Sequence, residues 1–274
     1  MKKFEFINYF LKRSFKYIYL LTNGDVRAKI NFFYFLIFSP IYFFLKHLFQ
    51  IKHIACTAPF KFVLTTPYGK FLCNGKKADF GVVTPGFEKN IQNIFLQHKN
   101  FNVFVDVGAH IGRYSVMMAI LNKNGKVIAI EPEPNNIEAL KYNIKINNLK
   151  NMEVFPFAVG SNEGSIQLFY DKWFSSVAST IQDFQAKRYI LVRCKKLDNL
   201  LAKIKQIDLI KIDIEGFELE ALRGAKNVLE RTKVIIFENL YKKNQVKIFL
   251  EKNNFKVFDT KEEHYFYAVN MKLK

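Results

Sequence analysis

The chain has few of the cysteines and histidines on which disulfide-bonded and metal-stabilised domains depend. It has three cysteines, Cys56, Cys73 and Cys194, an odd number with neither a CxxC pair nor the spacing of metal ligands. Its five histidines, at positions 47, 53, 98, 110 and 264, are too scattered to indicate zinc or iron. We therefore expect no disulfide framework and no bound metal of this kind, and three inert thiols in a reducing compartment.

The chain also lacks an apolar run of the length that a membrane-spanning helix needs. Residues 30–45 are rich in Phe and Tyr and carry no formal charge, but these sixteen residues fall short of the about 20 that span a bilayer core. Pro40 inside the run favours a kink. Basic residues flank it at Lys12, Arg13, Lys16, Arg27, Lys29 and Lys46. We favour a monotopic or re-entrant anchor on anionic lipid. A helical pair packed on the rest of the chain or on a partner subunit stays open, as does a true span or a cleaved signal.

Acidic residues are outnumbered throughout the chain. Asp and Glu number 24 against 42 Lys and Arg, which gives a net charge of +18, and the first 60 residues hold nine basic residues against two acids. Such a charge suits nucleic acid, but the basic residues are spread out and no aromatic-interleaved recognition module accompanies them. We therefore do not expect nucleic acid as a partner.

The most informative pattern is a strand, a glycine turn, a helix and a second strand. An apolar strand over 103–107 carries Asp106 and runs into Gly108 and Gly112, and the next strand, over 127–131, ends on Glu131. Such a unit opens a nucleoside-binding crevice at the carboxyl ends of parallel strands. The glycines permit a tight turn and a close approach to a ligand, and Glu131 can accept hydrogen bonds from two ribose hydroxyls.

The glycine spacing indicates which nucleoside binds there. A dinucleotide fold would need G-x-G-x-x-G to cradle a pyrophosphate, whereas the spacing here is Asp106-x-Gly108-x-x-x-Gly112. A carboxylate just before the first glycine repels phosphate but suits a ligand with an ammonium group and no phosphate. S-adenosylmethionine, which combines adenosine, a sulfonium and an amino-acid tail, is such a ligand.

A second block, over residues 207–224, indicates the class of protein. Lys211-Ile-Asp213-Ile-Glu215-Gly216-Phe-Glu218 resembles the K-I-D-[VI]-E-G-x-E signature of the FkbM family of S-adenosylmethionine-dependent methyltransferases. The family's earlier block, D-V-G-A-N-x-G-x-Y-[ST], corresponds to residues 106–115 and departs from it at His110, where the family usually has Asn. Further matches across roughly residues 80–270 are Glu131-Pro132, Asn143, Asn147-Asn148, Ala158-Val-Gly160 and residues 197–201.

The resemblance implies a fold and a cofactor site. The fold would be a doubly wound, Rossmann-like class I methyltransferase sheet of seven strands, with the last strand, near residues 265–269, antiparallel. The matching positions would bind S-adenosylmethionine through Asp106, Gly108, Ala109, His110, Gly112, Tyr114, Glu131, Pro132 and Ala158. The family also implies methylation of a hydroxyl in the broad sense.

Periodicity divides the chain into a basic, aromatic, helical region over 1–59 and a methyltransferase domain over 60–274, with its core at 100–270. Strands are predicted at 103–107, 127–131, 152–157, 207–213 and 233–238, and helices near 87–98, 113–122, 135–147, 217–229 and 242–253. This alternation indicates an α/β fold with a mostly parallel sheet. A hairpin is predicted over 60–82. Residues 160–195 interrupt the alternation, and there Trp173 either stacks on a ring of the substrate or covers the edge of the core, which we prefer.

The second block also offers catalytic groups. Side chains alternate along a strand, so Lys211, Asp213 and Glu215 share one face at its carboxyl end, where the crevice opens. An aliphatic hydroxyl needs a base or a metal to remove its proton. Asp213 is our first choice of base or acceptor orienter, Glu215 the second, and Lys211 an electrostatic partner. The alternative is a buried ion-pair network that braces the sheet, with Glu218 capping the next helix. Oxygen ligands from Asp213, Glu215 and Glu238 would suit Mg²⁺, but we favour no metal.

The expected function is S-adenosylmethionine-dependent O-methylation of a hydroxyl on a glycan, a lipid-linked saccharide or a related metabolite. The expected location is the cytoplasm, with residues 1–50 attaching the enzyme to the cytoplasmic face of the membrane if they contact lipid. An RNA-modifying methyltransferase and a membrane-docked, non-catalytic scaffold are the alternatives. No Asn-Pro-Pro-Tyr-type motif supports the first, and the intact Asp106, Gly108, Gly112 and Glu131 argue against the second.

Overall fold

The computed structural model describes residues 18–48, 60–74, 79–170, 188–239 and 244–273. The chain forms two compact units, and the change from the first to the second falls between Phe87 and Glu88. The sequence placed a boundary earlier, between residues 59 and 60. The difference concerns the β-hairpin that follows residue 60, which the structure groups with the preceding helix.

The first unit is a long helix packed on a hairpin. It contains α1 (Val26–Leu48), β1 (Lys61–Thr66), β2 (Gly69–Asn74) and α2 (Asp79–Val83). Asp25 joins the helix to the hairpin, since its carboxylate accepts hydrogen bonds from the Ala28 amide at the start of α1 and from the Val63 amide of β1, both at 2.9 Å. The Asn31 side chain adds a bond to the Phe60 carbonyl. The hairpin predicted over 60–82 is shorter than expected: its strands cover 61–74, and the residues from Asp79 onward are helical instead.

The helix α1 is continuous through residue 40, where the sequence favoured a kink. Within the part of the chain that the structure describes, no helix combines the length and the apolar character that crossing a bilayer requires. Cys73 and Cys194 are free and buried, as expected, and burial raises the pKa of the Cys73 thiol. Cys56 lies outside the described residues.

The second unit is built on a seven-stranded sheet. Its strands are β3 (Val103–Val107), β4 (Lys126–Ile130), β5 (Met152–Phe155), β9 (Ile207–Ile212), β10 (Thr232–Glu238), β11 (Phe255–Asp259) and β12 (Tyr265–Asn270). Their order in the sheet is β11-β12-β10-β9-β3-β4-β5. The last strand, β12, is antiparallel to both neighbours, whereas the pairs among β3, β4, β5, β9 and β10 are parallel. The predicted fold class is confirmed, and six strands lie within two residues of their predicted bounds.

The helices of this unit are α3 (Lys89–Gln97), α4 (Arg113–Leu121), α5 (Pro134–Ile146), α6 (Leu197–Leu200), α7 (Glu218–Arg223), α8 (Lys226–Glu230) and α9 (Gln245–Lys252). The helix predicted over 217–229 was wrong, because two short helices replace it. The break lies at Gly224, whose backbone packs so tightly on the Gly160 carbonyl that a Cβ there would come within 2.1 Å of it. Asp198 then caps the second helix by accepting a hydrogen bond from the Val228 amide.

A separate three-stranded sheet occupies the interruption that the sequence indicated. It contains β6 (Ala158–Val159), β7 (Gly164–Tyr170) and β8 (Arg188–Lys195) in the order β6-β8-β7. Trp173 lies outside the described residues, so both interpretations of it stay predictions.

Candidate active site

The site lies where the order of the parallel strands reverses. The strand β3 comes first along the chain but lies inside the sheet, where it pairs with β4 on one side and with β9 on the other. The chain therefore builds the sheet outward from β3 in two opposite directions. Ligands of open α/β sheets bind at this switch point, outside the carboxyl ends of the strands. Acidic residues stand at or next to the carboxyl ends of four neighbouring strands, namely Asp106, Glu131, Asp213 and Glu238.

The glycine loop after β3 packs directly on the end of β9. Gly108 and Gly112 have φ angles of 80° and 90°, in the region that favours glycine. A Cβ on Gly108 would lie 1.9 Å from the Asp213 carbonyl oxygen, and one on Gly112 would lie 2.4 Å from Leu140 Cδ1. The close approach that these glycines permit is therefore to the protein's own chain, and it brings the two sequence motifs into contact.

His110 has a left-handed backbone, with a φ angle of 52°. Asn and His are both among the few residues enriched in this conformation, which gives a physical reason why His can stand where the family usually has Asn. The His110 amide donates a hydrogen bond to Glu131 Oε2 at 2.9 Å. The buried Ala109 is held through its amide by the Ile130 carbonyl, and the Asn143 side chain donates to the Ile111 carbonyl. The loop is thus fixed from both β4 and α5.

Glu131 is a buried carboxylate with an imposed orientation. Besides His110, the Glu133 amide donates to its Oε1 at 2.9 Å, and the Asn136 side chain does so at 3.3 Å. Burial raises the pKa of Glu131 to about 7, although the hydrogen bonds from the two amides lower it. Additional hydrogen-bond donors would stabilise the ionised form of this buried carboxylate, and a pair of ribose hydroxyls would supply such donors. The residues at the end of β4, including the half-buried Pro132, therefore fit the nucleoside of S-adenosylmethionine.

Asp106 does not open toward a ligand. It is 1% exposed, its Oδ2 accepts a hydrogen bond from the Ser115 hydroxyl at 2.5 Å, and its Oδ1 lies 3.8 Å from Lys211 Nζ. Burial raises its pKa, while Lys211 and the Ser115 bond lower it. The sequence predicted that this carboxylate selects a ligand with an ammonium group. In the structure the nearby ammonium group belongs to Lys211.

Lys211 also holds Asp213. Its Nζ lies 2.8 Å from Asp213 Oδ2, and the Tyr265 hydroxyl lies 2.8 Å from the same oxygen. Burial raises the pKa of Asp213, but the ion pair with Lys211 and the hydrogen bonds outweigh it and leave the pKa below its usual range. Burial acts in the opposite sense on Lys211, and its two carboxylate neighbours outweigh it and raise its pKa. A buried ion-pair network is therefore present at this site.

Two residues that the sequence prediction missed complete this network. These residues are Glu88 and Tyr265. The Tyr114 hydroxyl donates a hydrogen bond to Glu88 Oε2 at 2.6 Å, and the Tyr265 hydroxyl lies 3.3 Å from Glu88 Oε1. Glu88 has a left-handed backbone with a φ of 44°, an uncommon conformation for this residue type. Burial and then Asp213 raise its pKa. Glu88 and Tyr265 are remote from both motifs in the sequence. Glu88 directly precedes a helix and Tyr265 begins a strand, and a polar residue at such a position is not by itself a sign of a functional site.

The catalytic candidates Asp213 and Glu215 are brought together, with Glu238 as a third member. One carboxylate oxygen from each lies within 4.8 Å of the others. Burial raises the pKa of Glu215 to about 8, with Asp213 and Glu218 adding to the shift. Burial and Asp213 also raise the pKa of Glu238, and its Oε2 is buried without a hydrogen-bond partner among the residues that the structure describes. We call Asp213, Glu215 and Glu238 the carboxyl cluster.

The turn that carries Glu215 is stabilised by hydrogen bonds to a side chain of the following helix. Glu215 has a φ of 54°, and Gly216 follows it with a φ of 96°. Glu218 Oε1 accepts hydrogen bonds from the Ile214 amide at 3.2 Å and from the Gly216 amide at 2.9 Å. Glu218, at the start of α7, therefore satisfies the amides of the turn that precedes the helix, close to the capping role that the sequence suggested.

Ala158 lies in a different setting from the other predicted cofactor residues. It forms part of β6 and packs with Leu168, Val192 and Cys194 in the small three-stranded sheet. Its predicted contact with the cofactor stays a prediction.

The comparisons with known proteins agree with this geometry. Residues 106–274, more than half of the chain, match the family model described as "Methyltransferase FkbM domain". "Methyltransferase sdnD" of Sordaria araneosa is 26% identical over 152 residues, which cover 44% of this chain and 59% of that protein. "Hexuronic acid methyltransferase AglP" of Haloferax volcanii is 24% identical over 155 residues, covering 55% and 62%. "2-O-methyltransferase NoeI" of Sinorhizobium fredii is 23% identical over 172 residues, covering 57% and 70%.

The chain spans less than two thirds of the length of the first two of these relatives. The family match is nevertheless extensive, and it includes both sequence motifs and the ends of strands β3, β4, β9 and β10. This family implies S-adenosylmethionine as the methyl donor. The chain belongs to the FkbM family of methyltransferases.

Proposed function

We propose that this protein transfers a methyl group from S-adenosylmethionine to a hydroxyl of a saccharide, either free, in a glycan or linked to a lipid. The observation that carries the proposal is the carboxyl cluster, which contains groups able to take up a proton and whose Asp213 packs through its backbone on Gly108 of the glycine loop. Two relatives bear the names of a hexuronic acid methyltransferase and a 2-O-methyltransferase, which agrees with a sugar hydroxyl as acceptor. We place the reaction on the cytoplasmic side of the membrane, where the methyl donor is made.

The cofactor would be held chiefly by Glu131 and by the loop over 108–112. Glu131 would accept hydrogen bonds from the ribose hydroxyls, and its own contacts with His110 and Glu133 fix its orientation in advance. S-adenosylmethionine supplies a methyl group activated by a positive sulfonium. A site with several buried acids favours a cationic ligand.

The acceptor hydroxyl requires a base, because an aliphatic alcohol is a weak nucleophile at neutral pH. We assign this role to Glu215, because burial raises its pKa to about 8, within about one unit of neutral pH. A base is most effective when its pKa lies near the working pH. This assignment reverses the order of preference drawn from the sequence, because Lys211 and Tyr265 keep the pKa of Asp213 below its usual range and make it the weaker base.

The remaining members of the cluster position the acceptor. Asp213 is immobilised by Lys211 and Tyr265, so it can orient a neighbouring hydroxyl without moving. Glu238 Oε2, buried and without a partner among the described residues, is available to accept a hydrogen bond from the sugar. Much of the rate of an in-line methyl transfer comes from such positioning.

The test is methyl transfer from labelled S-adenosylmethionine to a panel of hexoses, hexuronic acids and lipid-linked saccharides, with RNA as a competing acceptor. The Glu215→Gln variant should lose roughly 10²–10⁴-fold in kcat, the usual value of a general base, and should keep its affinity for S-adenosylhomocysteine. The matched control is Glu251→Gln, an exposed helix residue paired only loosely with Lys247 at 3.9 Å.

Three outcomes would overturn all or part of this proposal. Transfer to RNA and to none of the saccharides would exclude a sugar acceptor. Full turnover by Glu215→Gln would remove the assigned base while leaving the methyltransferase activity in place. Cofactor binding without transfer to any acceptor would support a scaffold instead.

A further inference from the structure

The helix α1 carries apolar side chains on two opposite sides. One side packs on the hairpin and is buried, with Phe32 at 8% and Phe35 at 2% exposure. The other side is exposed although it is equally apolar. Its five members recur every three or four residues and are Val26, Ile30, Phe33, Ile37 and Ile41, which are 47% to 72% exposed. We call these five residues the exposed stripe.

The geometry of a helix places the exposed stripe opposite the buried face. A residue advances by about 100° around the axis, so the five stripe residues fall within a sector of about 80°. Ala28 and Asn31, both fully buried, point with Phe35 to the other side, where Asn31 bonds the Phe60 carbonyl. The stripe is about 22 Å long at a rise of 1.5 Å per residue. The described part of the first unit therefore leaves the stripe exposed.

The charges around the exposed stripe have one sign. Arg27 and Lys29 are exposed and lie about 80° to either side of it. The helix Val26–Leu48 contains no Asp or Glu. Within the first 60 residues, nine basic residues stand against two acids. An apolar stripe bordered by cations is the pattern of a helix that lies in the plane of an anionic membrane.

We infer that the exposed stripe is a docking surface for an anionic lipid bilayer, with α1 lying flat and the stripe inserted at the level of the headgroups. Phe33 and the aliphatic members enter the boundary of the acyl chains, while Arg27 and Lys29 stay level with the phosphates. A second copy of the chain is a poorer occupant. A two-fold contact through the stripe would bring the cations of one helix beside those of the other, and like charges across an interface repel.

This inference is independent of the proposed function, but it has a consequence for the acceptor. An enzyme held at the surface meets a lipid-linked saccharide at a higher local concentration than a free one. Loss of the docking surface should therefore slow transfer to a lipid-linked acceptor and leave transfer to a free saccharide unchanged.

The experiment is flotation of the full chain with vesicles of phosphatidylcholine alone or mixed with phosphatidylglycerol. The double variant Phe33→Ser/Ile37→Ser should reduce partitioning by at least about tenfold, because two apolar side chains no longer leave water. Arg27→Gln and Lys29→Gln should each cost about fivefold on the anionic vesicles and little on the neutral ones. Leu191→Ser is the matched control, since Leu191 is 68% exposed on β8 in the other unit.

A second measurement covers the case in which the serine variants fail to fold. Ile37→Trp keeps the stripe apolar, and its fluorescence should shift to the blue on anionic vesicles, whereas that of Leu191→Trp should not. Absence of vesicle binding by the folded wild type would overturn the inference. A wild-type dimer that fails to bind vesicles and that Phe33→Ser/Ile37→Ser dissociates would assign the stripe to a second copy. Methyl transfer to a free saccharide by all these variants would show that the catalytic domain is intact in each.

Discussion

The affinity of this protein for the adenosine end of its cofactor should depend on pH through Glu131. Burial raises the pKa of this carboxyl to about 7, so near neutrality the empty site contains both the acid and the carboxylate. Ribose hydroxyls donate hydrogen bonds that only the carboxylate accepts in full. A ligand that prefers the ionised form binds more tightly as the pH rises through the pKa and more weakly as it falls.

The size of the effect follows from the same value. With a pKa of about 7, roughly one tenth of Glu131 is ionised at pH 6 and roughly nine tenths at pH 8. If the ribose binds only the carboxylate, the dissociation constant should be about tenfold higher at pH 6 than at pH 8, equivalent to about 1.4 kcal/mol. Above pH 8 the dependence should level off.

The assay is isothermal titration with S-adenosylhomocysteine at several pH values between 6 and 8.5. This product lacks the sulfonium, so its binding is less sensitive to the carboxyl cluster than that of the methyl donor. Titration in buffers of different ionisation enthalpy should also show that protons are released on binding below pH 7. A proton count of zero at pH 6 would contradict this reasoning.

The matched variant is Glu131→Gln, which keeps the shape and removes the charge. It should weaken binding by about 1–3 kcal/mol, the cost of losing a charged hydrogen-bond partner, and it should abolish the dependence on pH. A flat profile in the wild type, or an unchanged slope in Glu131→Gln, would show that Glu131 does not receive the ribose.

Three further predictions concern the other acids of the site. Burial raises the pKa of Glu238, so the folded state keeps a proton that the unfolded chain releases above its ordinary pKa. Glu238→Gln should therefore raise the melting temperature at pH 8, by about 2–4 °C for each kcal/mol of this cost, with no gain at pH 4.5, as calorimetry can test. Tyr265→Phe removes a hydroxyl 2.8 Å from Asp213 Oδ2, which should loosen the residue that orients the acceptor and raise KM, while the acidic limb of the kcat profile, set by Glu215, stays in place; a limb that moves to higher pH would assign the base to Asp213. Activity should survive EDTA, because Lys211 pairs with Asp213 and the raised pKa values of Glu215 and Glu238 favour their uncharged forms; a loss that Mg²⁺ restores would assign a metal there.

The sheet was largely predictable because its central strands are buried on both faces. Such strands are continuous apolar runs, and β3, β9 and β10 consist mainly of Val, Ile and Phe that are buried almost completely. The strand β11 was not predicted, because most of its residues contact water on at least one side. The break at Gly224 was also missed. It depends on the Gly160 carbonyl, which no local pattern in residues 217–229 reveals.

The candidate site, like the sheet, has a part that was predictable from local sequence and a part that depends on the packed fold. Contacts within a motif, such as the Lys211–Asp213 pair, were predictable because strand geometry places alternate residues on one face. The contact between Gly108 and the end of β9 depends on which strands are neighbours, and Glu88 and Tyr265 reach the site from elements far away in the sequence. The direction of the pKa shifts was also out of reach, because burial of a carboxyl depends on the packed structure.

The charge of the site suggests why a methyltransferase acting on hydroxyls would keep several buried acids. Glu88, Asp213, Glu215 and Glu238 all interact electrostatically with the buried Lys211. On the proposed function, the site binds a cation and ends the reaction with a neutral thioether and one additional proton. Glu215 takes up that proton as the positive sulfonium disappears, so the total charge within the pocket does not change. Glu88, Glu215 and Glu238, whose pKa values are raised, can hold either form of positive charge, which keeps the buried site from having to reorganise as the methyl group moves.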